Sequence, residues 1–131
     1  MGAWGIGSFE NDDSAEWIDD FSEDPSLDFV LDALSTVVEK DDTLEVEEAA
    51  VAIAAAEIVA ALRQQPHPQL PQPIQTWIQT QPPADESLTA LALRAINQVK
   101  TNSELQLLWE ETPESDAWQL ELDQIADRLT R

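Results

Sequence analysis

The sequence predicts an all-α protein, a compact bundle of about five main helices with one or two short ones and a glycine-rich N-terminal strap. Three observations carry that expectation. Apolar residues recur at three- and four-residue intervals along most of the 131-residue chain, and each such stretch is preceded by a residue suited to cap a helix. Strand-like alternation is nowhere sustained. The most apolar run, AAVAIAAAEIVAAL, is long enough for several helical turns and carries an acid inside it.

The elements follow in order. Residues 1–12 form the strap, with Gly2, Gly5 and Gly7 as the only glycines and Trp4 and Phe9 as anchors. Asp13, with Glu16 three residues later, resembles a capping box and opens a helix through Phe21, placing Trp17, Ile18 and Phe21 on one face. Asp24-Pro25 is read as the start of a second helix, whose Leu27, Val30, Leu31, Leu34, Val37 and Val38 make one buried stripe. After KDDT, a third helix is expected from about Leu44 to Arg63. Glu45, Glu47 and Glu48 sit in its first turns, where the helix dipole favours anions, and the alanine-rich remainder is apolar on nearly every face, as a central helix requires.

Residues 64–84 change character. Six of the eight prolines lie here among glutamines, yet Leu70, Ile74, Trp77 and Ile78 give the segment an apolar face, so it reads as a surface excursion with a short helix docked back on the bundle. Asp85 caps a helix with Leu88, Leu91, Ala92, Ala95, Ile96 and Val99 inward. Asn102 or Ser103 caps SELQLLWEE, and Ser115 starts a last helix with Trp118, Leu122, Ile125, Ala126 and Leu129 inward. One domain, 1–131, is expected, because the 47 residues after the excursion are too few for a second core.

Composition narrows the function. The net charge of −21 is concentrated at the start: residues 1–48 hold 16 acids against Lys40 alone. Such a surface opposes nucleic-acid phosphates and anionic membranes and favours a basic protein partner. No apolar run reaches the about 20 residues of a membrane span, and no secretory signal opens the sequence. Cysteine is absent, which fits a reducing compartment and removes thiol nucleophiles and thiolate metal sites.

Chemical motifs are sparse. The opening G-x-x-G-x-G has no preceding strand, no Walker lysine, and Glu10, Asp12 and Asp13 beside it, so a phosphate loop is excluded. Ile6 stands where a myristoylation signal carries Ser or Thr. His67, the sole histidine, lies between prolines and is expected to be exposed. No dedicated metal site and no cofactor are expected, and no residue is assigned a catalytic role. Glu57 stands out, since a carboxylate within AAAEIVAA must find donors or become neutral. Backbone amides, a Trp indole or an arginine such as Arg94 are the expected partners.

Several motifs occur together in order: MGAWGIGSFENDD with Ala15 and Trp17, then AAAEIVAAL, LPQPIQTWI, and SELQLLWEE before a Trp-bearing last helix. In combination they resemble the bacterial domain-of-unknown-function family 4259, from the first residue to nearly the last. The resemblance implies a complete single-domain bacterial protein, cytoplasmic, and no particular activity. It draws attention to Gly2, Trp4, Gly5, Gly7, Phe9, Asn11, Asp12, Trp17 and Glu57, while the Gln- and Pro-rich segment is longer and less charged than the family pattern.

The expected function is a non-catalytic acidic interaction module, immunity- or antitoxin-like, that binds a basic partner. Its candidate binding residues are Trp4, Asn11, Asp12, Asp13 and Glu57, and the chain is expected as a monomer or homodimer. One alternative is a small hydrolase or a ligand- or cation-binding protein using Glu57 with Asn11 and Asp12. Another is a structural homodimer through Trp77 or Trp109. The strap is expected to lie across the bundle, its amides or the Trp4 indole donating to Glu57 while Asn11 or Asp12 supplements the cap at Asp13.

Overall fold

A computed structural model describes Gly5 and residues 7–131. Among these residues there are seven helices: α1 (Asp12–Glu23), α2 (Leu27–Glu39), α3 (Val46–Leu62), α4 (Gln72–Ile78), α5 (Glu86–Thr101), α6 (Glu104–Glu110) and α7 (Ser115–Leu129). Five are long and two, α4 and α6, have seven residues each, as the apolar periodicity predicts.

Helix α3 is the axle of the bundle. It packs against all six other helices, and every residue from Ala52 to Leu62 is buried. An alanine surface lets neighbouring backbones come close on all sides, a geometry that longer side chains would prevent. The neighbours supply the bulk that α3 lacks: Phe21, Val30, Leu34, Ile74, Leu122, Ile125 and Leu129 are all fully buried around it.

Local chemistry sets three boundaries apart from the expected ones. Asn11, rather than Asp13, caps α1, its Oδ1 accepting the Ser14 N–H at 2.8 Å. Asp24 closes α1 through its N–H to the Phe21 carbonyl, so α2 begins later, capped by the Ser26 hydroxyl. Leu44 stays out of α3 because its backbone is already paired. Its N–H donates to the Asn102 carbonyl and its carbonyl accepts from the Glu104 N–H, a single parallel bridge that ties the α2–α3 connection to the α5–α6 turn. Asp85 caps α5 and Ser103 caps α6, in agreement with the sequence pattern.

The exit from α3 is a tight turn. Gln64 adopts φ 64°, a left-handed conformation. The Gln64 N–H bonds the Ala61 carbonyl and the Gln65 N–H bonds the Ala60 carbonyl, which together form a Schellman cap. The cap turns the Gln65 carbonyl back toward the side of the bundle where α7 ends.

Candidate functional site

Glu57 sits in the buried stretch of α3 with no exposed surface. Two elements distant in sequence supply its donors. Arg128, near the end of α7, forks onto both carboxylate oxygens, Nη1 to Oε1 at 2.6 Å and Nη2 to Oε2 at 3.3 Å. The Ser8 hydroxyl donates to Oε2 at 2.6 Å. Arg128 also reaches the Gln65 carbonyl at 3.4 Å, so the Schellman turn holds the guanidinium from the other side. Charge-assisted bonds of this kind answer the desolvation of a buried carboxylate.

Of the expected strap, Gly5 and residues 7–12 are described. The segment reaches Glu57 through a serine hydroxyl, and the arginine is Arg128. Arg94 is exposed on α5 and has no part in the network. Trp4 lies outside the described residues. The segment is fastened again by Ser14, whose hydroxyl donates to the carbonyls of Ser8 and Ala50, each at 3.2 Å. Glu10 folds back so that the Gly7 N–H donates to its carboxylate at 3.1 Å. A Cβ at Gly5 would stand 2.7 Å from the Glu10 carboxylate and one at Gly7 would also meet it, contacts that the flexible Glu10 side chain can relieve by turning away; neither glycine has positive φ.

Beneath the strap lies a small cavity of about 30 Å³, the scale of a single water, with Ser8, Asn11, Asp13, Trp109, Trp118 and Glu121 in its wall. Asn11 and Asp13 thus come together here. Asn11 is committed to its cap and makes no hydrogen bond to Glu57 among the described residues, and Asp12 is exposed. Trp109 and Trp118 stack at 6.5 Å, which encloses Trp109 within the fold.

His67 departs from expectation. Its side chain is 11% exposed, edge-on to Phe9 with ring centroids 5.5 Å apart. Nδ1 accepts the Gln69 N–H at 2.9 Å, which leaves a proton on Nε2, and that nitrogen faces the Glu121 carboxylate at 3.6 Å. Sequence reasoning missed Ser8, Glu121 and Arg128. A signal for the last two exists: they lie seven residues apart on α7, flanking the Leu122, Ile125, Leu129 stripe, so both emerge at the margin of the core.

A second feature is a groove of about 250 Å³ between α1, α2 and the first turns of α3. Trp17 and Phe29, stacked at 5.3 Å and both half-buried, line it together with Asp32 and Glu47. Neither of these two carboxylates has an ion-pair or hydrogen-bond partner among the described residues. Glu48, in the same wall, is held by Lys40 at 2.7 Å and by the Glu45 N–H at 2.9 Å. Burial opposes its ionisation, but these two donors outweigh burial and keep its carboxyl below the usual range. Among the described residues no group of three or more His, Asp or Glu side chains is placed to hold a metal ion. No helix there is long and apolar enough to cross a membrane.

Fold and site define a class: an acidic, all-helical bundle with a buried Ser8–Glu57–Arg128 network. The chain belongs to the family described as Domain of unknown function (DUF4259), whose model matches residues 2–121. Comparison with curated proteins finds no match, and comparison with solved structures finds none either.

Proposed function

We propose that this protein is a non-catalytic interaction module that binds a basic protein partner, in the manner of an immunity protein or antitoxin, in the bacterial cytoplasm. The observation that carries the proposal is the Trp17–Phe29 groove and its unpaired acidic rim. A lysine or arginine entering the groove meets the Trp17 and Phe29 rings with Asp32 and Glu47 alongside, a combination of cation–π and ionic attraction. The surroundings reinforce it. Glu16, Asp19, Asp20, Glu23 and Asp28 on α1 and α2 are all exposed, and Lys40, the only base in residues 1–48, is already held by Glu48. The absence of cysteine and the family resemblance support the location.

Affinity capture with the tagged protein from its native cells, at low salt and at about 0.5 M salt, tests this, because an electrostatic complex weakens under screening. A basic partner retained at low salt, released at high salt and lost with Asp32→Lys plus Glu47→Lys is expected. Absence of any partner at either salt, or one bound equally by the charge-reversed variant, overturns the proposal.

A further inference from the structure

A larger cavity lies away from the acidic groove. It has a volume of about 620 Å³, within the range of small-molecule sites, and opens between α2, α5 and the Pro-rich segment that follows α4. Leu27 and Leu31 of α2, Trp77 of α4, Pro82 and Leu91 make its walls apolar. Arg94 stands at its rim, exposed, with no hydrogen-bond or ion-pair partner among the described residues. That is unusual company for a guanidinium in a chain where 27 acids face 6 Lys and Arg. Lys40, Lys100 and Arg128 are each paired with a carboxylate.

We propose that this groove binds an amphipathic monocarboxylate, of the chemistry of a medium-chain fatty acid anion. The carboxylate sits on Arg94 and the acyl chain lies along Leu91, Trp77 and Leu31. The two halves of the cavity ask for such a ligand: apolar walls exclude a fully polar anion, and a fork of five donors matches a carboxylate better than any neutral headgroup. Position along α5 orients the ligand. Ser87, Leu91 and Arg94 succeed one another at helical spacing on one stripe, so the apolar position falls between the polar ones. Asp85, the only carboxylate among the described residues of the wall, is nine residues from Arg94, about 13 Å along the helix axis. It also accepts the Leu88 N–H at 2.8 Å. At physiological salt, charges beyond about 8 Å are largely screened, so the guanidinium in contact governs the headgroup despite the acidic total.

Titration calorimetry and amide-resolved NMR with decanoate and with 1-decanol, on the wild type, Arg94→Gln and Arg94→Lys, test the proposal. Wild type should bind decanoate saturably at one to one, shifting the Trp77 indole and the Leu91 amide, and at least about tenfold more tightly than decanol. Arg94→Gln should bring decanoate down to the decanol level and leave decanol unchanged, and Arg94→Lys should retain part of the preference. Arg94 is exposed and unpaired among the described residues, so the variants should keep the wild-type melting temperature, and the comparison of the two ligands on wild type decides independently of them. No saturable decanoate binding, equal affinity for decanoate and decanol, or an unchanged affinity in Arg94→Gln overturns the proposal.

Discussion

At the scale of single residues, the balance at Glu57 sets the terms. Its carboxylate has lost water on every side, and Arg128 and Ser8 replace that water with directed donors. Removing one partner is therefore worse than removing the pair. Arg128→Met should lower stability by about 3–5 kcal/mol in urea denaturation, because a buried charge is left unanswered. Ser8→Ala should cost about 1.5–3 kcal/mol, the worth of a hydrogen bond to a charged group. Glu57→Ala should also destabilise well beyond an ordinary substitution, and a change within about 0.5 kcal/mol would remove the network from any structural role. Gln64 gives an opposite expectation. It occupies a left-handed position that glycine adopts without steric cost. Gln64→Gly should raise stability by about 0.5–1 kcal/mol, and a loss instead would mean that its side chain matters more than its backbone.

Elements in this protein are held at their ends as well as along their faces. The entry to α3 combines the Glu45–Glu48 backbone contact with the Lys40 ammonium, so its strength depends on pH. Glu48 is held below the usual carboxylate range. Its contribution is therefore complete above that range and is lost as acid takes the pH down through the lowered value. The Lys40 ammonium, raised by its hydrogen bond to Glu48, behaves oppositely: its contribution is complete below the ordinary lysine range and is lost only as alkali passes the raised value. Lys40→Gln should consequently flatten the acid limb of a stability–pH curve relative to wild type, and superimposable acid limbs would refute the linkage. Within α3, packing allows less latitude. Ala55 is fully buried on a helix enclosed by six others, so Ala55→Leu should destabilise by about 1–3 kcal/mol through overpacking, read from the urea midpoint.

For the molecule as a whole, charge and core act against each other. A net charge of −21 drives the surface apart, while an alanine-centred core closed by large neighbours holds it together. Added salt should raise the melting temperature, by roughly 4 °C for each kcal/mol of repulsion screened, and a melting temperature that stays flat or falls with salt would contradict this balance. The acids on α1 and α2 give the acidic groove its setting, and Arg94 stands at the rim of the cavity between α2 and α5, so the two proposed sites differ in sign as well as in place.

Most of the architecture was legible because it is local. The stripe through Val30, Leu34 and Val37, the short helix around Ile74, and the Asp85 cap depend on residues within a turn or two of each other, and pattern alone specifies them; Leu27, expected on the same stripe, is 40% exposed because it starts α2 at the edge of the bundle. The caps at Asn11 and Ser26 escape such reading for an equally local reason: several side chains at each helix start can accept the same N–H, and backbone geometry selects among them. The burial of Glu57 was evident from AAAEIVAA, but its partners were not. Ser8 and Arg128 lie 49 and 71 residues away, and no periodicity spans such distances. The sequence by itself determined the helices, their buried faces, the acidic surface and the need of Glu57 for a donor. Only the tertiary structure decided which donors meet it, that His67 is enclosed by Phe9 and Glu121, and that Arg94 stands beside an apolar groove without a carboxylate partner among the described residues. Side-chain pairing across helices depends on how the faces come to rest, and that is fixed only when the whole core closes.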